Sequence, residues 1–183
     1  LICTKDLPTV SGSFVYKDFN GGVDDVVVER LRAAGAIVTG KTNVPEFGYS
    51  GVGHNPLFET TRNPWDLERT PGGSSSGSAA GAASRMFPVG LGTQVRGSVL
   101  RPGAFCGLYA IKPSFGCINL EGINPISRGV NHLGTLAASL EDMWLSLHYL
   151  SRNAGAEATR ISLPGATEMP GPEKPGRLIR LET

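Results

Sequence analysis

Lys41, Ser74 and Ser98 are the residues of this 183-residue chain whose types and settings could carry covalent chemistry. Ser74 lies in the run Gly72-Gly73-Ser74-Ser75-Ser76-Gly77-Ser78, which feeds directly into an Ala-rich segment, and Ser98 closes Gly92-Thr93-Gln94-Val95-Arg96-Gly97-Ser98. A Gly/Ser run is often a flexible linker, but a linker does not ordinarily lead into a segment suited to a buried helix. Free backbone N–H groups and hydroxyls at a helix start suit an anion, either a phosphate or an oxyanion. The lysine discriminates between them. Gly35-Ala36-Ile37-Val38-Thr39-Gly40-Lys41-Thr42 matches G-x-x-x-x-G-K-[ST], the pattern of a P-loop nucleotide hydrolase. That loop requires a strand before its first glycine and a helix starting at the lysine, whereas here a helical pattern precedes Gly35 and Pro45 discourages a helix beyond. The second chemistry is acyl transfer, in which a serine attacks a carbonyl after an unprotonated lysine removes its proton. A lysine can do this where desolvation lowers its pKa, and a second serine can relay the proton.

The elements that must position these groups follow from periodicity. Val23, Val27, Leu31 and Ala34 recur at helical spacing with Asp24 and Asp25 in the first turn and Gly35 as terminator. Residues 36–39 read as a short buried strand with Lys41 leaving its end. Nine glycines and prolines punctuate residues 43–73, which predicts a wrapped loop. Ser76 to Met86 predicts a helix of little bulk that packs closely, and Phe87 to Thr93 a strand. Ser139 and Asp142 form an S-x-x-D cap before Leu140, Met143, Trp144, Leu147 and Leu150, one apolar helical face. Residues 154–176 read as a linker-like loop, and 177–183 as the start of a further strand. With a first residue other than Met, this pattern predicts a partial domain whose motif-bearing core is 1–153.

Composition narrows the partners. Hydrophobic residues make up 40% of the chain and its net charge is +1, so a core can form and bulk charge favours neither nucleic acid nor an anionic membrane. Cys3, Cys106 and Cys117 lack metal-ligand or disulfide-framework spacing and read as structural. His54, His132 and His148 are scattered, so no metal is proposed, and Trp65 and Trp144 read as packing residues. The absence of a membrane-span run and of a signal-peptide pattern predicts a cytoplasmic protein.

Five ordered segments resemble the amidase signature family: Leu7-Pro8-Thr9-Val10-Ser11-Gly12-Ser13; Gly40-Lys41-Thr42-Asn43 with Glu46-Phe47; Gly72 to Ala80; Gly97-Ser98 with Arg101-Pro102; and Cys106-Gly107 with Lys112-Pro113-Ser114-Phe115-Gly116. The resemblance implies an α/β fold with a mixed sheet flanked by helices, present here as an incomplete domain. It implies a Ser-Ser-Lys amidase in which Lys41 is the general base, Ser74 the middle serine after a cis peptide bond, and Ser98 the nucleophile that forms an acyl-enzyme. Backbone N–H groups of Val95, Arg96, Gly97 and Ser98 take the oxyanion-hole positions. Gln94 and Ser98-Val99-Leu100-Arg101-Pro102 resemble the malonamidase-like branch, which makes Arg101 a candidate substrate-binding residue, although an arginine can equally tie loops through carbonyls. Arg96 stands where the family usually has a small residue, and a cation there is expected to crowd the site or twist the loop. The implied partner is a small-molecule amide and no cofactor is called for; a homodimer is one assembly open to the chain, whose residues do not fix the oligomeric state. Ester substrates, a catalytically inactive partial amidase domain and the nucleotide hydrolase are the alternatives.

Overall fold

The computed structural model describes residues 1–124, 127 and 129–151. The sequence reading of 154–176 and 177–183 lies outside these residues. Helix α1 (Val26–Ala33) begins three residues later than Val23, which is 60% exposed. Asp25 occupies the N-cap position with extended backbone, but its carboxylate accepts the Cys3 N–H at 2.6 Å instead of capping the helix. Gly35, at φ +87°, ends α1 in the left-handed region as its lack of a Cβ permits.

The strand expected at residues 36–39 does not form. Ile37 is 87% exposed, and no ladder pairs this segment among the described residues. Apolar β-branched content favours an extended chain, but a strand also needs a partner for its backbone groups. The breaker-rich stretch 43–73 is a wrapped loop with one 3-10 turn at Glu46–Gly48. It is pinned to the body by Asn63 Nδ2, which donates to Phe105 O at 2.9 Å, and by Trp65 Nε1, which donates to Cys106 O at 2.8 Å. Trp65 is therefore an exposed tether and not a packed core residue.

Helix α2 (Ser76–Ala83) stops before the expected Met86, because Arg85 enters the left-handed region at φ 62°. Strand β1 (Val89–Gln94) follows. The chain then forms α3 (Leu100–Phe105), β2 (Tyr109–Ile111), β3 (His132–Ala137) and α4 (Leu140–Ser151). The described sheet has the order β1-β3-β2 with antiparallel pairs, Val89 opposite Ala137 through Gln94 opposite His132 on one side and Tyr109 opposite Ala137 on the other. The α4 cap matches its sequence signature: Ser139 Oγ accepts the Asp142 N–H at 3.1 Å and donates to the Asp142 carboxylate at 2.7 Å.

Two apolar clusters hold these layers. Val27 and Val28 of α1, Leu147 and Leu150 of α4, Ile118, Ile123 and Leu133 form the larger one. Arg30 reinforces it by donating from Nη1 to the Leu150 carbonyl at 2.7 Å. Ala79, Val99, Cys106 and Leu136 form the second, between α2, α3 and the sheet. The α2–β1 contact is nearly backbone on backbone. A Cβ on Gly90 would stand 2.9 Å from Ser78 Cβ and O, and one on Gly92 would stand 2.8 Å from Ser75 Cβ. The small residues that weaken the apolar signal of 76–86 are what permit this approach.

Candidate active site

Lys41 is delivered by side contacts to α2 in place of the expected strand. Thr42 Oγ1 and Ser78 Oγ share a hydrogen bond of 2.8 Å, and the Gly77 N–H donates to Asn43 O at 3.0 Å. These bonds anchor the residues just after Lys41 on the first turns of α2, while Ser74 sits just before that helix. Lys41 and Ser74 consequently line one small, open cleft, with Ser75, Ser78, Gly92 and Thr93 on its walls. No helix starts at Lys41 and a helix precedes Gly35, so the phosphate-loop geometry is not formed.

The lysine amine donates to the Ile2 carbonyl and to Thr9 Oγ1, the latter at 3.0 Å. The residue as a whole is exposed, and its amine is held against Ile2 and Thr9 by these two bonds. Desolvation pushes its pKa below the ordinary lysine range, and the neighbouring Cys3 and Asp25 pull it part of the way back. Thr9, only 4% exposed, belongs to the first motif, where its type alone suggests no role; its hydroxyl is a direct partner of the amine. Nothing in the sequence marks the Ile2 carbonyl, because any residue type could have supplied it.

Ser74 is 1% exposed, and the Gly73–Ser74 peptide bond is cis as expected. Ser98 is half-buried and does not line the cleft with Lys41 and Ser74. Its loop is nevertheless joined to theirs: the Ser75 N–H donates to the Ser98 carbonyl at 3.0 Å. Among the described residues no acceptor takes the N–H groups of Val95, Arg96, Gly97 and Ser98. Such a run of uncommitted donors is the raw material of an oxyanion hole. Arg96 stands on this turn, but the left-handed backbone falls on its neighbour. Gly97 carries the positive φ of +79°, and the Arg96 residue is exposed.

Arg101 bridges the two serine loops. Its Nη1 donates to Gly73 O and its Nη2 to Arg96 O, both at 3.4 Å. A Cβ on Gly51 would meet the guanidinium, so a larger residue there would make the arginine end shift. Two long bonds leave most of the five guanidinium N–H donors uncommitted. Cys106 is fully buried and burial raises its thiol to about 11, which suits a core residue and not a nucleophile. Among the described residues no group of three His, Cys, Asp or Glu side chains could hold a metal ion, and no helix is long and apolar enough to cross a membrane.

The site thus brings a buried serine after a double glycine into one cleft with a desolvated lysine, and a second serine, Ser98, stands on the adjoining turn. The Amidase family model matches residues 1–175, and this chain belongs to that family. It is 39% identical over 163 residues to a subunit of the glutamyl-tRNA(Gln) amidotransferase of Sulfurihydrogenibium sp. and 40% identical over 162 residues to the corresponding protein of Coxiella burnetii; these cover 89% and 88% of this chain but 34% of each relative. Among solved structures, the same amidotransferase component from Thermotoga maritima superposes with a TM-score of 0.81 at 31% identity, over 88% of this chain and 36% of its own. The peptide amidase of Stenotrophomonas maltophilia gives 0.80 at 33% identity, over 94% and 35%. The chain thus spans about a third of the length of the relatives it matches.

Proposed function

We propose that this chain carries the acyl-transfer machinery of an amide hydrolase, with Ser98 as nucleophile, Ser74 as proton relay and Lys41 as base. The observation that carries the reading is the joint between the loops: one backbone hydrogen bond, Ser75 N–H to Ser98 O, couples the nucleophile's turn to the serine that shares a cleft with a desolvated lysine. Ser98 Oγ attacks the carbonyl carbon of a small carboxamide while its proton passes by way of Ser74 to neutral Lys41. The N–H groups of residues 95–98 receive the negative charge that develops on the carbonyl oxygen. Collapse of the tetrahedral intermediate breaks the C–N bond, and the departing nitrogen takes the proton held by Lys41. Water then attacks the Ser98 ester, releasing the acid and restoring the hydroxyl.

Relatives named as amidotransferase components and as a peptide amidase fit this shared first step, acyl transfer from an amide to the enzyme. Arg101 holds the loops through Gly73 O and Arg96 O, and its remaining donors suit a carboxylate on the substrate by bidentate pairing. Unchanged KM for acidic against neutral amides in Arg101→Ala would eliminate the substrate role and leave the bridging one.

The test is covalent labelling of the purified 183-residue chain with a fluorophosphonate, the adduct being located by peptide mass spectrometry. The expected result is an adduct on Ser98, lost in Ser98→Ala and strongly slowed in Lys41→Ala. No adduct on a sample shown to be folded by circular dichroism favours the inactive partial domain.

A further inference from the structure

Gln94 is the last residue of β1, opposite His132 in the sheet, and is 6% exposed. Its side-chain oxygen accepts two consecutive backbone N–H groups, Val99 at 2.8 Å and Leu100 at 3.0 Å. Val99 is the N-cap residue of α3 and Leu100 its first helical residue, so these are donors that a helix leaves without internal partners. An N-cap side chain reaches the second or third helical N–H and would not serve these two donors, so their acceptor must come from elsewhere. Gln94 supplies it from five residues upstream. The segment between, residues 95–98, is therefore closed at both ends by one residue: by its main chain where β1 ends and by its amide oxygen where α3 begins.

We propose that Gln94 is a positioning residue for the nucleophile turn. The turn contains Gly97 in the left-handed region, and its four N–H groups have no acceptor of their own among the described residues, so internal bonding does little to hold it. Its carbonyls are held from outside, Gly97 O by the Arg101 N–H at 2.8 Å, Ser98 O by the Ser75 N–H at 3.0 Å and Arg96 O by the Arg101 guanidinium at 3.4 Å, and Gln94 fixes the start of α3 that carries Arg101. A buried amide that touches neither substrate nor reacting atoms thus helps to set the direction of the Ser98 hydroxyl and of the free N–H groups. The inference rests on the acyl-transfer reading for what the turn does, and on the hydrogen bonds alone for what holds it.

Gln94→Met keeps length and approximate volume and removes the acceptor; Gln94→Glu keeps an acceptor oxygen, whose charge the α3 N-terminus favours. Amide hydrogen exchange by NMR and the rate of fluorophosphonate labelling of Ser98 are measured on both. Gln94→Met is expected to accelerate exchange at Val99 and Leu100 by about tenfold or more, with exchange in β3 unchanged, and to slow labelling by about tenfold. Gln94→Glu is expected to restore both to within about threefold of the parent. Should Gln94→Met not fold, Gln94→Asn, one methylene too short to reach both amides, replaces it against Gln94→Glu. Unchanged labelling in the variant without the acceptor, or faster exchange spread evenly over the sheet and helices, overturns the proposal. If the parent itself is not labelled, the acyl-transfer reading fails, and exchange confined to 95–101 still decides whether Gln94 holds the turn.

Discussion

Gly92→Ala places a methyl group in the seam between α2 and β1, where the consequence can be worked from distances. The new Cβ would fall on Ser75 Oγ, 2.8 Å from Ser75 Cβ and 3.0 Å from Val99 Cγ2, against roughly 3.5–4.0 Å for carbon atoms at ease. The Ser75 hydroxyl can rotate away, but its Cβ is fixed to the backbone and Val99 is fully buried. The α2 entrance must therefore retreat from the sheet by roughly 0.5–1 Å. Overpacking of this kind costs roughly 2–3 kcal/mol. Alanine recovers about 0.5–1 kcal/mol over glycine within a strand, leaving a net loss of about 1–2.5 kcal/mol. For a domain of this size that lowers Tm by roughly 2–10 °C. Because the Ser75 N–H holds the Ser98 carbonyl, the displacement reaches both serines, and labelling of Ser98 should slow by about tenfold or more. The assay pairs thermal melts with second-order fluorophosphonate labelling at fixed pH. Gly40→Ala, with no atom within 4 Å of the added Cβ and no positive φ, is the stability control and should stay within about 0.5 kcal/mol. A Gly92→Ala chain as stable as that control, labelled at the parent rate, would refute the close-packed seam.

Two titrations test the electrostatics. Asp25 raises the Lys41 pKa, so Asp25→Asn lowers it further and the rising limb of the labelling rate against pH should move to lower pH; a limb that stays or moves up contradicts the placement of the carboxylate near the amine. Cys106 keeps its proton to about pH 11 in the fold, whereas the unfolded thiol ionises near its ordinary value of 9.0. The unfolded state therefore binds fewer protons between these values, and the parent should lose roughly 1.4 kcal/mol per pH unit there, about 3 kcal/mol in all. That stability is fully present below pH 9. Cys106→Ala should be less stable at neutral pH yet lack this alkaline decline, and urea midpoints of the two chains at about pH 7.5, 9 and 11 that fall in parallel would falsify the assignment.

The parts of the fold that can be read in advance are those whose signals are local. The Ser139–Asp142 cap, the apolar face of α4, the Gly35 terminator and the breaker-rich 43–73 loop depend on neighbours in sequence, and they appear as expected. Residues 36–39 mislead because a β-branched run reports a preference for extension and says nothing of a partner strand. Val23 falls outside α1, whose N-cap Asp25 is tied through both its N–H and its carboxylate to Cys3, 22 residues distant. The strands β2 and β3 carry little pattern of their own, since Gly134 and Thr135 interrupt any apolar alternation. At the site, glycine-rich runs and a lone lysine identify Ser74, Ser98 and Lys41 as candidates. Their support is of another kind: the Thr9 hydroxyl, the Ile2 carbonyl and the Gln94 amide act through tertiary contact, and the types of these residues do not announce it.

The two serine loops are stitched together by Ser75 N–H to Ser98 O and by Arg101 across Gly73 O and Arg96 O, whereas Lys41 reaches the cleft on a separate strap held by Thr42 and Asn43. That strap is nonetheless fastened to α2, the helix that starts directly after the Ser74 turn, through Ser78 Oγ and the Gly77 N–H. The first turns of α2 are therefore the common hinge-pin of the cleft: a shift of that one helix start moves both walls together, whereas the outer part of the strap, where Ile37 is exposed and has no strand partner among the described residues, lies away from the pin.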